Sequence, residues 1–481
     1  MEKYIFWVTA IFQIGVFALM LYYLFIALFG FYKKKDTKTF EPQKKFAMLV
    51  AAHNEEVVIE NLVESLKHLD YPKELYDIFV IADNCTDNTA KIARAAGANV
   101  FERFNKEKRG KGFALEWMFD KIFKMDTHYD GIAVFDADNL VDKNFLKEMN
   151  NKMCEGFKVV QGYIDSKNPQ DSWITESYAI AFTSANRMLQ LAKSNIGLSA
   201  QIGGTGFVID TATLKKLGWG ATCLTEDLEF SCKLILNGEK VGWAHDAIIY
   251  DEKPLTLKAS WNQRKRWMQG FADVATRYGM KLLKKSIKDR SLVAFDCTLY
   301  VMQPFVTLAT GLAGLLTFVQ IRAVDGLGIF VISYLFNATV WQLFCVFQFL
   351  LTPFALLFDK KMSGKLFVVL GLYACNVFIQ PYLINQLGIL DNIMLLTLFN
   401  VAYIGIFLIG TLLFLGKRNF QIFYRYLIYP LYILTWIPIT IQGIIDKDKK
   451  NGHILNTLDK SEYTKFNYYK TSINGCLIFL L

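Results

Sequence analysis

Gly131-Ile132-Ala133-Val134-Phe135-Asp136-Ala137-Asp138 decides the fold. A short apolar run that ends in two carboxylates reads as a buried strand emerging at a sheet edge. Upstream, Phe46–Ala52, Ile78–Asp83 and Asn99–Arg103 have the same character. With Gly131–Asp138 they make four predicted strands. Asn54–His68, Asn88–Ala96, Phe113–Lys124 and Lys143–Cys154 read as intervening helices. Strands alternating with amphipathic helices predict an α/β domain with a mostly parallel sheet over about residues 46–250. Such sheets bind ligands beyond the carboxyl ends of their strands. Three acidic clusters fall there: His53-Asn54-Glu55-Glu56, Asp83 through Asp87, and Asp136/Asp138.

The flanks are apolar. The chain has 481 residues, 53% hydrophobic and 15% aromatic, too apolar for an ordinary soluble enzyme. Tyr4 to Phe31 is long enough to span a bilayer, and Lys33, Lys34 and Lys35 follow it. It reads as a retained anchor, with the α/β domain on the cytoplasmic side and the N-terminus outside. Four more apolar segments are expected at roughly 293–320, 328–358, 365–387 and 392–416. Alternating them keeps Lys360, Lys361, Lys365, Lys417 and Arg418 inside. Phe420 to Ile445 holds Pro430 and Pro438 with basic residues at both ends, and an interfacial or re-entrant helix is expected there. The domain plan is therefore an anchor at 1–32, a catalytic domain at 45–255, interfacial helices at 256–292, four spans at 293–416, the helix at 420–446 and a polar tail at 447–481. That tail ends in a short apolar stretch, Cys476 to Leu481.

The net charge of +9 reflects Lys and Arg at the ends of hydrophobic runs, so no nucleic-acid surface is implied. Eight scattered Cys without a CxxC pair point away from a disulfide frame or zinc site, and no HExxH is present.

Several motifs carry chemistry. Asp136 and Asp138 can hold a divalent ion and a diphosphate, and hard oxygen ligands suit Mg²⁺ or Mn²⁺; a solvated turn is the plainer reading. Asp83 can accept from a uracil ring N–H, or cap the next helix. Lys108-Arg109-Gly110-Lys111-Gly112 puts cations and glycines at a helix start, which suits an anionic diphosphate, although it is not a Walker A loop. In Thr225-Glu226-Asp227, Thr225 can cap a helix while Asp227 serves as a general base. Gln263-Arg264-Lys265-Arg266-Trp267 is a basic amphipathic stretch whose Arg266 can pair with phosphate oxygens and whose Trp267 offers a face to a sugar ring.

In their order and spacing these motifs resemble the family-2 processive glycosyltransferases: cellulose, hyaluronan, chitin and poly-N-acetylglucosamine synthases. The resemblance covers about residues 45–275. It implies a GT-A fold inserted between transmembrane helices of a multi-pass plasma-membrane protein. It places Ala52, Glu55, Asp83, Lys111, Asp136, Gln263 and Arg266 on the nucleotide-sugar, Asp138 on the metal, Glu226 and Asp227 at the catalytic centre with Asp227 as base, and Trp267, Gly204 and Thr205 at the acceptor. The implied reaction is a single inverting displacement on a UDP-sugar that lengthens a β-linked polysaccharide, which the membrane helices would move outward. The Gln-Arg-x-Arg-Trp form leans toward a β-glucan from UDP-glucose, cellulose-like or mixed-linkage. Alternatives are an N-acetylglucosamine polymer, including hyaluronan, and a non-processive lipid glycosyltransferase. Accessory secretion proteins are compatible with the resemblance. Only one span precedes the catalytic domain and no cyclic-di-GMP-binding barrel follows it, so regulation by that nucleotide is not expected.

Overall fold

A computed structural model describes residues 2–34, 39–220, 223–323 and 326–447. Lys35, Lys449, Lys450 and the tail from Asn451 lie outside the described residues.

The chain begins with helix α1 (Glu2–Leu28) and enters the α/β domain at β1 (Phe46–Ala52). Then follow α2 (Ile59–Lys67), β2 (Tyr76–Asp83), α3 (Thr89–Ala95), β3 (Asn99–Arg103), α4 (Lys111–Ile122), β4 (Gly131–Asp136), the short β5 (Leu140–Val141) and α5 (Phe145–Cys154). The second half holds β6 (Val159–Ser166), α6 (Trp173–Ala185), α7 (Ala192–Asn195), β7 (Phe207–Asp210), α8 (Thr211–Leu217), α9 (Glu226–Leu236) and β8 (Val241–Asp251). The sheet order is β3-β2-β1-β4-β7-β6-β8-β5. β3, β2, β1 and β4 are parallel; β7 runs antiparallel between β4 and β6, and β8 returns parallel to β6. The domain is thus α/β with a mixed sheet. Two apolar layers flank it, one around Met48, Val50, Leu62 and Phe135, the other around Leu49, Ile132, Met118 and Phe230. Alternate residues of a single strand serve opposite layers, as a sheet covered on both faces requires.

Several boundaries differ from expectation for local reasons. β4 ends at Asp136 rather than Asp138, because the Asn139 N–H turns back onto the Asp136 carbonyl at 3.2 Å. α2 starts at Ile59, not Asn54: Asn54 sits at φ +56° and its side-chain Oδ1 accepts from Thr86 N–H at 2.7 Å. The segment 293–320 divides at Met302. Its first part, α11 (Leu292–Val301), is too short to span and packs on α9 and on α10 (Leu257–Lys288). Its second part, α12 (Gln303–Arg322), starts with Pro304 in the first turn. The next helix, α13 (Ala338–Phe358), begins ten residues later than 328, capped by Asn337.

With α1, α12 and α13, the helices α14 (Gly364–Leu387) and α15 (Ile393–Leu434) are long and apolar enough to cross a membrane. α15 is broken at Gly416, where φ is +72°, into helices 393–415 and 417–434. The latter does not continue outward. Its Phe423 and Tyr426 pack with Ile180 of α6, and Arg425 pairs with Glu176 at 3.1 Å. It ends at Thr435, and α16 (Trp436–Ile445) then runs along α10.

The α/β domain grips the same end of three apolar helices. Beyond α1, Lys33 pairs with Asp246, Lys34 donates to the Asn195 carbonyl at 3.0 Å, and Asn195 donates to the carbonyls of Phe29 and Tyr32. Between α13 and α14, Asp359 is paired with Arg187, accepts from Tyr163 at 3.1 Å and lies 3.4 Å from His245, while Lys361 pairs with Asp165.

Candidate active site

The carboxyl ends of β1, β2 and β4 meet in one cleft edge. The β1 and β2 loops are laced together: His53 Nδ1 lies 2.6 Å from the Asp83 carbonyl, Glu55 N–H donates to Thr89 Oγ1 at 2.7 Å, and Glu56 accepts from Asn88 N–H at 3.0 Å. Ala52, at the strand end, is buried. Asp83 is buried too, and its Oδ1 accepts from Arg103 at 2.5 Å and from Asn84 at 3.0 Å. Arg103, at the end of β3, also donates to the Lys108 carbonyl, tying the basic loop to the same carboxylate.

Lys111, the first residue of α4, reaches across to Asp136 and donates to the Gly204 carbonyl at 2.7 Å. Burial works against its charge, but Asp136, Glu226 and Asp227 outweigh that and raise its pKa. Gly204 sits at φ +83°, and a Cβ there would lie 3.4 Å from Asp227 Oδ2. This glycine therefore joins the Lys111–Asp136 pair to the carboxylate at the start of α9. Thr205 beside it is buried, donates to Asn139 Oδ1 at 2.5 Å and accepts from the Asp136 N–H at 3.0 Å. The whole 203–206 loop hangs on Gln161 of β6, which accepts from Gly203 N–H at 2.8 Å and donates to carbonyls of Gly162, Thr205 and Gly206.

Glu226 and Asp227 open α9, half-buried. Burial first, then Asp227, pushes Glu226 up to about 7, with Lys111 and the exposed Arg266 pulling the other way. Burial raises Asp227 as well. Thr225 makes no side-chain cap; it is buried against α10, where a Cβ on Gly270 would come 2.4 Å from its side chain. That contact docks the Thr-Glu-Asp turn on the helix carrying Gln263, Arg266 and Trp267. On that helix Gln263 accepts from the Tyr178 hydroxyl at 2.8 Å. The Trp267 ring stacks on Trp436 at 6.4 Å and meets Tyr178 edge-on at 6.3 Å.

Asp138 has a different setting. Burial, then Asp251, Asp136, Glu55 and Glu252, raise its carboxyl well above the usual range. Asn139 donates to both Asp138 and Asp251, Lys253 pairs with Asp251 at 2.6 Å, and Lys167 pairs with Glu252 at 2.9 Å. Among the described residues no three side chains form a metal cage by themselves. Yet this carboxylate is surrounded by others, and its donors are all oxygen. That fits a hard divalent cation completing its shell with phosphate and water oxygens.

The sequence-derived candidates thus fall into two groups. Ala52, Glu55, Asp83, Lys111, Asp136, Asp138, Gly204, Thr205, Glu226, Asp227 and Arg266 lie around the carboxyl ends of β1, β2 and β4 and the start of α9. Gln263 and Trp267 face α6 and α16. Arg103, Gln161, Asp251 and Glu252 also build the site and were not singled out from sequence. Asp251-Glu252 does follow an apolar run, Ala247–Ile249, which was the available signal.

Residues 42–270 match the family described as glycosyltransferase like family 2. The chain is 28% identical over 301 residues to the probable glycosyltransferase YdaM of Bacillus subtilis, covering 58% of this chain and 69% of that one. It is 27% identical over 266 residues to the beta-monoglucosyldiacylglycerol synthase of Nostoc, covering 53% and 56%. It is 25% identical over 285 residues to the poly-beta-1,6-N-acetyl-D-glucosamine synthase of Staphylococcus aureus, covering 57% and 66%. Among solved structures, the mannosyltransferase PcManGT of Pyrobaculum calidifontis, in complex with GDP-Man and Mn²⁺, matches with a TM-score of 0.49 at 16% identity, covering 77% of this chain and 99% of that one.

Proposed function

We propose that this chain, which carries a family-2 glycosyltransferase domain at residues 42–270, is a membrane-embedded enzyme that transfers glucose from UDP-glucose with inversion, lengthening a β-glucan at the cytoplasmic face. One observation carries the reading: Gly204 brings the Lys111–Asp136 pair beside Asp227. A cation for the diphosphate and a carboxylate for the acceptor proton then border one point.

Each residue has a part in that transfer. Asp227, with Glu226 beside it, takes the proton from the acceptor hydroxyl as that oxygen attacks C1 of the sugar. Lys111 and Arg266 counter the charge that grows on the departing diphosphate. Asp83 and the Ala52–Glu55 edge receive the uracil. Asp136 orients the nucleotide-sugar, and Thr205 fixes Asp136 through its backbone. Asp138 would hold Mg²⁺ or Mn²⁺, which when bound would neutralise phosphate charge. Gln263 and Trp267 border the acceptor.

The orientation rests on charge. The domain-side ends of the apolar helices carry Lys33, Lys34, Lys360, Lys361, Lys365, Lys417 and Arg418, which by the positive-inside rule belong in the cytoplasm.

A second reading, glucosyl transfer to a lipid, is favoured by the likeness to the Nostoc beta-monoglucosyldiacylglycerol synthase. Product analysis separates the readings. Purified protein in vesicles is given labelled UDP-glucose or UDP-N-acetylglucosamine with Mg²⁺ or Mn²⁺. High-molecular-weight label cut by β-glucanases supports the glucan. Label extracted into organic solvent supports the lipid. Label from UDP-N-acetylglucosamine alone overturns the sugar in both.

A further inference from the structure

Among the described residues, one buried cation is sealed from water without an anion beside it. Arg103, Arg187, Lys193 and Lys253 are all buried, and each has a carboxylate: Asp83, Asp359, Asp296 and Asp251. Arg264 is fully buried, and its partners are neutral. Its guanidinium donates to Thr435 Oγ1 at 2.8 Å and, at longer range, to the carbonyls of Ser260 (3.4 Å) and Tyr432 (3.5 Å), and its Nη2 has no partner among the described residues. An uncompensated buried charge is strongly unfavourable, so something else must stabilise it.

Two features do so. Arg264 lies at the C-terminus of helix 417–434, whose carbonyls carry the negative end of the helix dipole. It also lies over two rings, 4.2 Å from the centre of Tyr432 and 5.1 Å from that of Trp436. These groups belong to one joint, the turn at Thr435 between helix 417–434 and α16. Past the joint, α16 is clamped along α10. Trp261 donates to Gln442 at 2.7 Å, Lys265 pairs with Asp446 at 3.1 Å, and a Cβ on Gly443 would lie 2.6 Å from Met268. Trp436, held over Arg264, stacks in turn on Trp267.

We propose that Arg264 is a positioning residue for the acceptor: it locks the Thr435 joint, which fixes Trp436, which sets the plane of Trp267. This rests on the reading of Trp267 as bordering the acceptor. Arg264 touches neither donor nor acceptor, so its loss acts on transfer to a sugar or lipid and spares the donor end.

The test uses the purified full chain with Arg264→Met, Arg264→Lys and Thr435→Val. Four quantities are read: UDP binding, release of UDP from UDP-glucose to water, sugar transfer, and amide exchange over 428–446. In Arg264→Met, UDP binding and hydrolysis hold while transfer falls about tenfold or more, the scale of a displaced reactant. Exchange quickens at the joint but not in β1 or β4, and Arg264→Lys recovers part of the transfer. Equal losses of hydrolysis and transfer, or unchanged exchange at the joint, overturn the proposal. If Arg264→Met fails to fold, Thr435→Val, which removes the 2.8 Å bond from Arg264 together with the hydroxyl's own 2.6 Å bond to the Tyr432 carbonyl, gives the same comparison with smaller changes. Wild-type protein that binds no UDP would sink the donor reading instead, and joint exchange would still decide whether Arg264 holds Trp436 in place.

Discussion

The carboxyl-end edge of the sheet, proposed to take the donor, and the α10–α16 junction use charge in opposite ways. At the sheet edge, Lys111, Asp136, Asp138, Glu226 and Asp227 are partly exposed, and the carboxyls of Asp138, Glu226 and Asp227 are held above their usual range. Groups in such tension gain from a new partner, and on the proposed reading that partner is a diphosphate for the lysine and a cation for the carboxylates. At the junction a single guanidinium is buried among rings and helix carbonyls. That arrangement has nothing to exchange and serves to hold two helices in register. On the proposed reading the first region changes state on binding and the second stays fixed.

The sharpest way to break this contrast is at Asp138. Asp138→Asn should cost transfer about a hundredfold or more, the scale at which a lost charge-stabilising group acts. It should also weaken the rescue of activity by added Mn²⁺ in a titration after chelation. An unchanged metal response would remove Asp138 as a ligand.

Gly270→Ala attacks the contact that links the two regions. Its Cβ would come 2.4 Å from Thr225, so either α10 or the Glu226-Asp227 turn must move. Overpacking of this kind costs about 1–3 kcal/mol, read as a lower unfolding temperature, and transfer should fall with it. Unaltered stability and activity would mean the contact is slack.

Milder still is Gly204→Ala. An alanine at φ +83° costs roughly 1 kcal/mol, and its methyl would touch Asp227. Transfer should drop several-fold while UDP affinity stays within the error of a binding titration.

The pH dependence sharpens the contrast without mutation. Glu226 and Asp227 titrate as a pair, with Glu226 pushed up to about 7. Asp227 must be ionised to act as base, and burial holds its carboxyl above the usual range, so transfer should fall as pH drops through the range where that carboxyl takes a proton. Stability has the opposite sign. These carboxyls hold protons more tightly folded than unfolded, so their contribution is full below the unfolded carboxylate pKa. It is lost as pH rises through the folded value. A rate that does not fall on acidification, with Asp227 intact, would count against this carboxylate as base.

Much of the donor end was legible because local patterns encode it. Phe46–Ala52 and Asn99–Arg103 fold as the strands their composition predicts, and the acidic clusters sit at strand ends. What stayed hidden depends on pairing between distant segments. β8 joins β6 across some 80 residues, bringing Asp251 and Glu252 to Asp138, and no short-range periodicity announces it. Gln161 reads as an ordinary strand residue until β7 lies beside it. Arg264 is the extreme case: a cation in a basic run reads as solvated, and only the return of helix 417–434 buries it.

The most direct test of the account is sugar transfer by Asp227→Asn beside wild type, with UDP binding measured on the same preparations. The prediction is a loss of transfer of about a thousandfold, within the range expected for a lost general base, with UDP bound as in wild type. Sustained turnover by Asp227→Asn would contradict the central claim that this carboxylate, set beside Lys111 by Gly204, takes the acceptor proton.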